Sequence, residues 1–264
     1  GVGSVSPPST NKNGLSISGI WRDDTNKYVY SEGPTLDGRF KPDILAPAVG
    51  YIGATSGSGI ISAKSSMQQP WPIGCQGGPG GNLNTYYCEQ SGTSMATPHV
   101  AGAAALLREF FQTRLNVANP SAALIKAMLL NGAQPVNGQP IPSYQNGFGR
   151  LNMTDILPSS PGFLAFVDER TGITTAQKKT YTYTVDTQYP FTLTLVWTDA
   201  PPAVPYSNQT QKKLVNDLDL VVTDSHGNQY FGNDVQSPYN DKQDRLNNVE
   251  QVRIAAPITG KYTI

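Results

Sequence analysis

The chain has 264 residues, enough to bury a core and to hold two domains. Nineteen Lys and Arg balance nineteen Asp and Glu, so the formal charge is zero and a polybasic surface for nucleic acid or anionic membranes is excluded. No run approaches the ~20 apolar residues of a membrane span, and with only 14% charged residues much of the polar surface must come from Asn, Gln, Ser and Thr, a balance that fits an extracellular protein.

Along the chain, Ser6-Pro7-Pro8-Ser9-Thr10-Asn11-Lys12-Asn13 precedes an alternating segment, Leu15 to Ile20, that reads as a strand. A polar stretch, Arg22 to Glu32, leads to Gly33-Pro34-Thr35-Leu36-Asp37-Gly38-Arg39-Phe40-Lys41-Pro42-Asp43-Ile44-Leu45-Ala46-Pro47, whose Ile44 to Ala46 reads as a short buried strand. Tyr51 to Ser62 is rich in Gly, Ser and β-branched residues and reads as a strand pair. Cys75 and Cys88 bracket a Gly/Pro-rich loop, Gln76 to Tyr87. A disulfide there would tie the loop down, the alternative being two free thiols. No third or fourth ligand makes a zinc site of them.

Ser91-Gly92-Thr93-Ser94-Met95-Ala96-Thr97-Pro98-His99-Val100-Ala101-Gly102 follows. It sets one serine between a Gly-Thr turn and a run of small apolar residues. That is how a nucleophile is presented at a helix N-terminus, where free N–H groups and the positive end of the dipole stabilise an oxyanion. Ala101 to Leu107 is apolar all round, which predicts a central, fully covered helix, and Pro98 is expected in its first turn. Taken alone, a Gly-x-Ser triplet is as well explained by a serine N-cap. Asn119-Pro120 predicts a second helix, Asn as cap and Pro at the first position, over Ser121 to Leu130, ended by Asn131-Gly132. Then come Tyr144-Gln145-Asn146-Gly147-Phe148-Gly149-Arg150-Leu151-Asn152 and a boundary at Pro158-Ser159-Ser160-Pro161.

Beyond the boundary the helical period disappears. Thr180 to Val185, Phe191 to Trp197, Leu214 to Thr223 and Val249 to Ile254 are strand-like, which predicts an antiparallel β-sandwich or barrel of about 100 residues. Asp217 and Asp219, two apart on a strand, would share a face. Asp234, Asn240, Asp241, Asp244 and Asn247 crowd the following loop, with only Lys242 and Arg245 close by to balance them. Such oxygen donors suit a hard cation, Ca²⁺ above all, and the alternative is Asn/Asp turn chemistry on a solvated surface. Asn152-Met153-Thr154 and Asn208-Gln209-Thr210 fit the N-glycosylation pattern.

The segment from Ser91 to Gly102 and the segment from Gly33 to Pro47 resemble two motifs of the subtilase family of serine proteases, with Ala48 where the second motif has glycine. Tyr144 to Asn152 resembles the Gly-aromatic-Gly segment that closes subtilase domains. Leu195 to Pro201, Leu214 to Val222, Gly232-Asn233-Asp234, Ser237 to Asp241 and Asn247 to Glu250 resemble the jelly-roll-like domain appended to a group of secreted alkaline subtilases. The resemblance implies an α/β subtilisin-like partial domain, a parallel sheet with a buried nucleophile helix, followed by an antiparallel β-sandwich or jelly roll. The expected division is 1–157 for the C-terminal half of the catalytic domain, 158–162 for a linker and 163–264 for a β-domain cut short.

By the same resemblance Ser94 is the nucleophile of an endopeptidase acting on proteins or peptides, and Gly92 and Thr93 shape the turn and line the cleft. Calcium is implied as a structural cofactor at Asp217, Asp219, Asp234, Asn240, Asp241, Asp244 and Asn247. Subtilase triads run Asp, His, Ser, but the two histidines, His99 and His226, both follow Ser94. The stretch Ser6 to Asn13 resembles the one just after the family's oxyanion asparagine, with Pro8 matching a proline often cis beside the substrate pocket. The triad aspartate and histidine and that asparagine are therefore expected upstream of Gly1. The expectation is an inactive fragment of a secreted protease, partnered with its missing N-terminal portion. Two other readings stay open: half of a two-chain protease, and a non-catalytic binding or scaffold piece using exposed aromatics such as Tyr206, Tyr230 and Tyr239.

Overall fold

The computed structural model describes residues 3–22, 30–50, 59–63, 87–157, 164–186, 189–203, 209–234 and 243–264. Two strands run parallel at the centre of the first part, β1 (Ile17–Trp21) and β2 (Ile44–Val49), with Ile17 opposite Ile44 and Gly19 opposite Ala46. Ile44, Leu45, Ala46 and Ala48 are fully buried, as a parallel strand covered on both faces must be. Ala48 lies inside β2, where a β-carbon fits without strain. β3 (Ile60–Ala63) and β4 (Tyr87–Gln90) form an antiparallel pair that delivers the chain to Ser91. Residues 51–58, and the pairing of Cys75 with Cys88, lie outside the described residues.

α1 (Thr93–Thr113) buries Ala96, Val100, Ala103, Leu107 and Phe111, a single stripe at helical spacing. The expected all-round cover is not found. Ala101, Gly102, Ala105 and Leu106 are exposed, Leu106 at 54%, because the elements packed on α1 among the described residues, β1, β2 and α2, meet only one side of it. Pro98 is also deeper than expected. The helix begins at Thr93, so Pro98 falls in the second turn, inside the helix. The carbonyl it leaves without the usual i+4 donor is that of Ser94.

α2 (Ala122–Asn131) begins two positions later than the Asn119 cap and Pro120 first position suggested. Ser121 is the cap, its Oγ accepting from Leu124 N–H at 2.9 Å while donating to Asp168 at 2.5 Å. Asn119 and Pro120 precede it. Gly132 ends the helix in right-handed backbone, so it is not there for a positive φ. A β-carbon would sit 2.4 Å from Ile156 Cγ1 of the short α3 (Met153–Ile156). Gly147 and Gly149 do need their freedom, at φ 55° and 112°. A β-carbon on Gly147 would lie 2.2 Å from the Pro42 carbonyl oxygen, which is how the Gly-Phe-Gly segment closes on the strand entrance.

The second part is antiparallel throughout. β5 (Thr182–Val185), β7 (Val221–Thr223), β8 (Gln229–Phe231) and β10 (Gly260–Thr263) form a four-stranded sheet in the order β5-β10-β7-β8. β6 (Phe191–Val196) pairs with β9 (Val249–Ile254). The strand expected over 214–223 is confined to Val221–Thr223, so Asp217 and Asp219 stand on an extended approach to it.

The β6–β9 pair has two buried faces, which explains why β9 does not alternate polar and apolar. Phe191, Leu193, Leu195, Val252 and Ile254 join Tyr262 and Val222 in the second core. Val196 and Val249 join the first. On that same face Gln251 Nε2 donates to Leu130 O at 3.1 Å and Arg253 Nη1 to Ala133 O at 3.1 Å. Leu130 O is in the last turn of α2, where it also accepts from the N–H groups of Gly132 and Ala133, and Ala133 O lies just past the helix end. The expected linker, 158–162, lies outside the described residues, yet the parts on either side of it share a core and a helix cap.

Candidate active site

The loop before α1 is fixed at the carboxyl end of β2, where Gly92 N–H donates to Ala48 O at 2.9 Å. Open α/β sheets hold their ligands at that end of the strands. Gly92 turns the chain with φ 140°, a conformation that favours glycine, and contributes no side-chain cap. The Gly92 carbonyl accepts from Met95 N–H at 3.0 Å and Ala96 N–H at 3.4 Å, so among the first-turn N–H groups of α1 those of Thr93 and Ser94 are the ones left without an intrahelical or side-chain acceptor. Ser94, the second residue of the helix, is exposed beside them, and Thr93 is half-buried. The Ser94 hydroxyl, the glycine turn and the positive end of a 21-residue helix thus occupy one corner.

Neither histidine completes a charge relay here. His99 is five residues on, about 140° around the helix from Ser94, and its Nδ1 lies 2.8 Å from Met95 O. His226 is exposed in the turn between β7 and β8, with its N–H donating to Asp224 Oδ1 at 2.8 Å. Tyr230 packs on the second core with its hydroxyl on Asp224, while Tyr206 and Tyr239 lie outside the described residues.

Sequence reasoning missed the polar joint that ties Ser6–Asn13 to the β-part. Lys12 Nζ pairs with Asp199 Oδ2 at 2.5 Å, both side chains buried, and also donates to Ala200 O and Lys213 O at 2.6 Å. Asp199 accepts in addition from Val215 N–H and Asn216 N–H at 2.8 Å. Asn13 exchanges bonds with the Asp199 backbone and accepts from Asn248 Nδ2 at 3.0 Å. Burial alone would raise the Asp199 carboxyl, but Lys12 and the two backbone donors outweigh it and hold the group below the ordinary range. The Pro7–Pro8 bond is cis. Asp43, within the Lys-Pro-Asp run, accepts from Ser16 N–H and is paired with both Lys41 and Lys126. The only signal in the sequence was the run itself, since burial of such charges requires partners that are far apart in the chain.

The acidic positions divide into two groups. Asp217 and Asp219 do share a face, but what they share is Arg245, at 3.5 and 3.0 Å, and Asp217 also meets Lys212 at 3.0 Å. Asp244 accepts from Leu246 N–H, Asn247 N–H, Asn247 Nδ2 and Asn233 Nδ2, a turn arrangement. Asn247 Oδ1 accepts from Phe40 N–H at 2.9 Å, bridging to the first part. Asp234 is half-buried, and Asn240 and Asp241 lie outside the described residues. Among the described residues no three His, Cys, Asp or Glu converge as a metal cage. One buried oxygen nearby has no partner among the described residues, Oε1 of Glu250, whose Oε2 accepts from Leu220 N–H. Burial, with Asp244, Asp219 and Asp217 adding to it against the Leu220 bond, pushes that carboxyl up to about 8.

The fold sets an exposed serine at a helix N-terminus at the carboxyl edge of a parallel strand. The peptidase S8 subtilase family matches residues 2–149, and the chain belongs to that family. Over 271 residues, 91% of this chain, it is 31% identical to the serine protease/ABC transporter B family protein tagA of Dictyostelium discoideum. Over 138 residues, 52% of this chain and 26% of the relative, it is 34% identical to the serine protease AprX of Bacillus subtilis (strain 168). A solved structure, fervidolysin from Fervidobacterium pennivorans, a keratinolytic enzyme related to subtilisin, covers 93% of this chain and 27% of its own, at 16% identity and a TM-score of 0.38. The chain spans about 15% of the length of tagA. No helix among the described residues is long and apolar enough to cross a membrane.

Proposed function

We propose that this chain supplies the nucleophile of a serine endopeptidase whose substrates are proteins or peptides. The observation that carries the reading is Ser94, exposed at the uncapped N-terminus of α1 behind the Gly92 turn. Its hydroxyl attacks the scissile carbonyl, and the Ser94 N–H with the helix N-terminus receives the negative charge that develops on oxygen. Gly92 and Thr93 shape the turn and border the cleft. The proton acceptor and its orienting carboxylate come from outside this stretch, since no histidine precedes Ser94. Residues 1–264 alone therefore bind and orient without turning over substrate. The test is casein or peptide hydrolysis by the full-length protein and its Ser94→Ala variant, with Thr97→Ala as control. Loss of activity in Ser94→Ala alone supports the reading, and wild-type activity in that variant overturns it.

We further propose a structural calcium at the acidic loop, drawing on Asp217, Asp219, Asp234, Asn240, Asp241, Asp244 and Asn247. The support is the crowding of hard oxygen donors and the unpartnered buried oxygen of Glu250. An ion bound there would have to replace Arg245 on Asp217 and Asp219, so its expected role is to bind the approach to β7 against the loop before β9. A thermal midpoint that falls on chelation with EGTA, and recovers with calcium, is the expected result. The same division into catalytic and β-domains, and export from the cell, belong to this reading, supported by the low charge content and the sequon at Asn208.

A further inference from the structure

The joint between the two parts contains a second feature independent of catalysis. Lys12, Arg39, Lys41, Asp43, Phe148 and Asn248 are among the residues lining a small cavity of about 10 Å³, room for one particle the size of a water. Three of the liners are cations. Lys12 is matched by Asp199 and Arg39 by Asp37, but Lys41 and Lys126 share the single carboxylate of Asp43. The cluster thus sets four buried cations against three carboxylates, and one positive charge is uncompensated. All these side chains are at least nine-tenths buried, where an unmatched charge is costly.

Hydrogen bonding leaves the same deficit. Arg39 uses Nε and Nη2 on Asp37 and on Thr10 O, while its Nη1 is buried without a partner. Lys41 Nζ meets Asp43 Oδ2 at 2.5 Å and Gly14 O at a long 3.4 Å, so a donor remains. We propose that the cavity is a binding site for one small monovalent anion, chloride in ordinary solution, held by Arg39 Nη1 and Lys41 Nζ at the joint. A neutral water would take the Arg39 donor but leave the charge unmatched, and so small a space favours a monatomic anion. Consistent with a missing counter-charge, burial and the neighbouring Lys126 pull the Lys41 ammonium down to about 8, against the attraction of Asp43.

The test uses full-length protein. Crystals grown with sodium bromide should show an anomalous bromide peak in the cavity between Arg39 and Lys41. In solution the thermal midpoint should rise with chloride at constant ionic strength, balanced with gluconate, by about 3 °C per tenfold beyond saturation. Lys41→Met, which removes the excess cation, should lose that dependence, while Lys261→Met at the surface should keep it. No bromide peak, with the same midpoint in chloride and gluconate, would mean that an ordered water alone serves Arg39 and would overturn the proposal. The wild-type crystal experiment decides the matter even where Lys41→Met fails to fold.

Discussion

Lys12 Nζ and Asp199 Oδ2 lie 2.5 Å apart and 187 positions apart in sequence, both side chains buried. Through this pair the segment Ser6 to Asn13 is anchored to the β-part and not only to its own sheet. The β-part is therefore a structural element of the first part, and the two should unfold together.

Asp199→Ala removes the acceptor of a buried ammonium and of two backbone N–H groups at once. The expected cost is about 3–5 kcal/mol, the range for breaking one side of a buried pair. Denaturant unfolding followed by Trp21 and Trp197 separately should show both parts losing stability in a single transition. Two separate transitions would contradict the shared joint.

Acid should act first on the same joint. Asp199, Asp43 and Asp37 are each pushed up by burial but drawn below the ordinary 3.8 by Lys12, by Lys126 and Lys41, and by Arg39. Between its lowered folded value and 3.8, each carboxylate takes up more protons unfolded than folded. Their stabilisation is thus complete above about pH 4 and is lost as the pH falls below it. A pH series of urea midpoints should be flat with respect to these groups above that point and drop beneath it, with a shallower drop in Asp199→Ala.

Gly147→Ala is expected to cost at least about 2 kcal/mol, from left-handed backbone and a β-carbon forced against the Pro42 carbonyl. Gly138→Ala, also at positive φ but with open space around it, should lose only the backbone part. The difference between the two melting temperatures isolates the packing contribution.

Ser121→Ala removes the cap of α2 and the hydroxyl that donates to Asp168. About 1–2 kcal/mol should be lost. Ser121→Asp would keep the cap acceptor but place a second carboxylate against Asp168, so it should rescue little, which thermal melts can read directly.

Much of the corner around Ser94 was legible because its logic is local. The glycine turn, the serine and the small-residue helix are contiguous from Gly92 to Ala103, and the Gly-Phe-Gly closure is written in three residues. Burial on both faces of β2 could be read from Ile44 to Ala46 for the same reason. What escaped depends on residues far apart in the chain. Nothing next to Lys12 announces Asp199, and nothing in Val249 to Ile254 reveals that Gln251 and Arg253 reach carbonyls at and just past the end of a helix more than a hundred positions earlier. Helix exposure also misled: Ala101 to Leu107 has the composition of a buried helix, but composition does not state how many neighbours cover it. The reading of the acidic loop rested on composition alone, and the role of Arg245 as common partner of Asp217 and Asp219 came only with the fold.

The central claim is that Ser94 is a nucleophile, and covalent labelling tests it most directly. Full-length protein treated with a fluorophosphonate and digested should carry the adduct mass on the peptide containing Ser94, with labelling abolished by denaturation and by Ser94→Ala. An adduct on another serine, with Ser94→Ala labelled as fast as wild type, would contradict the assignment.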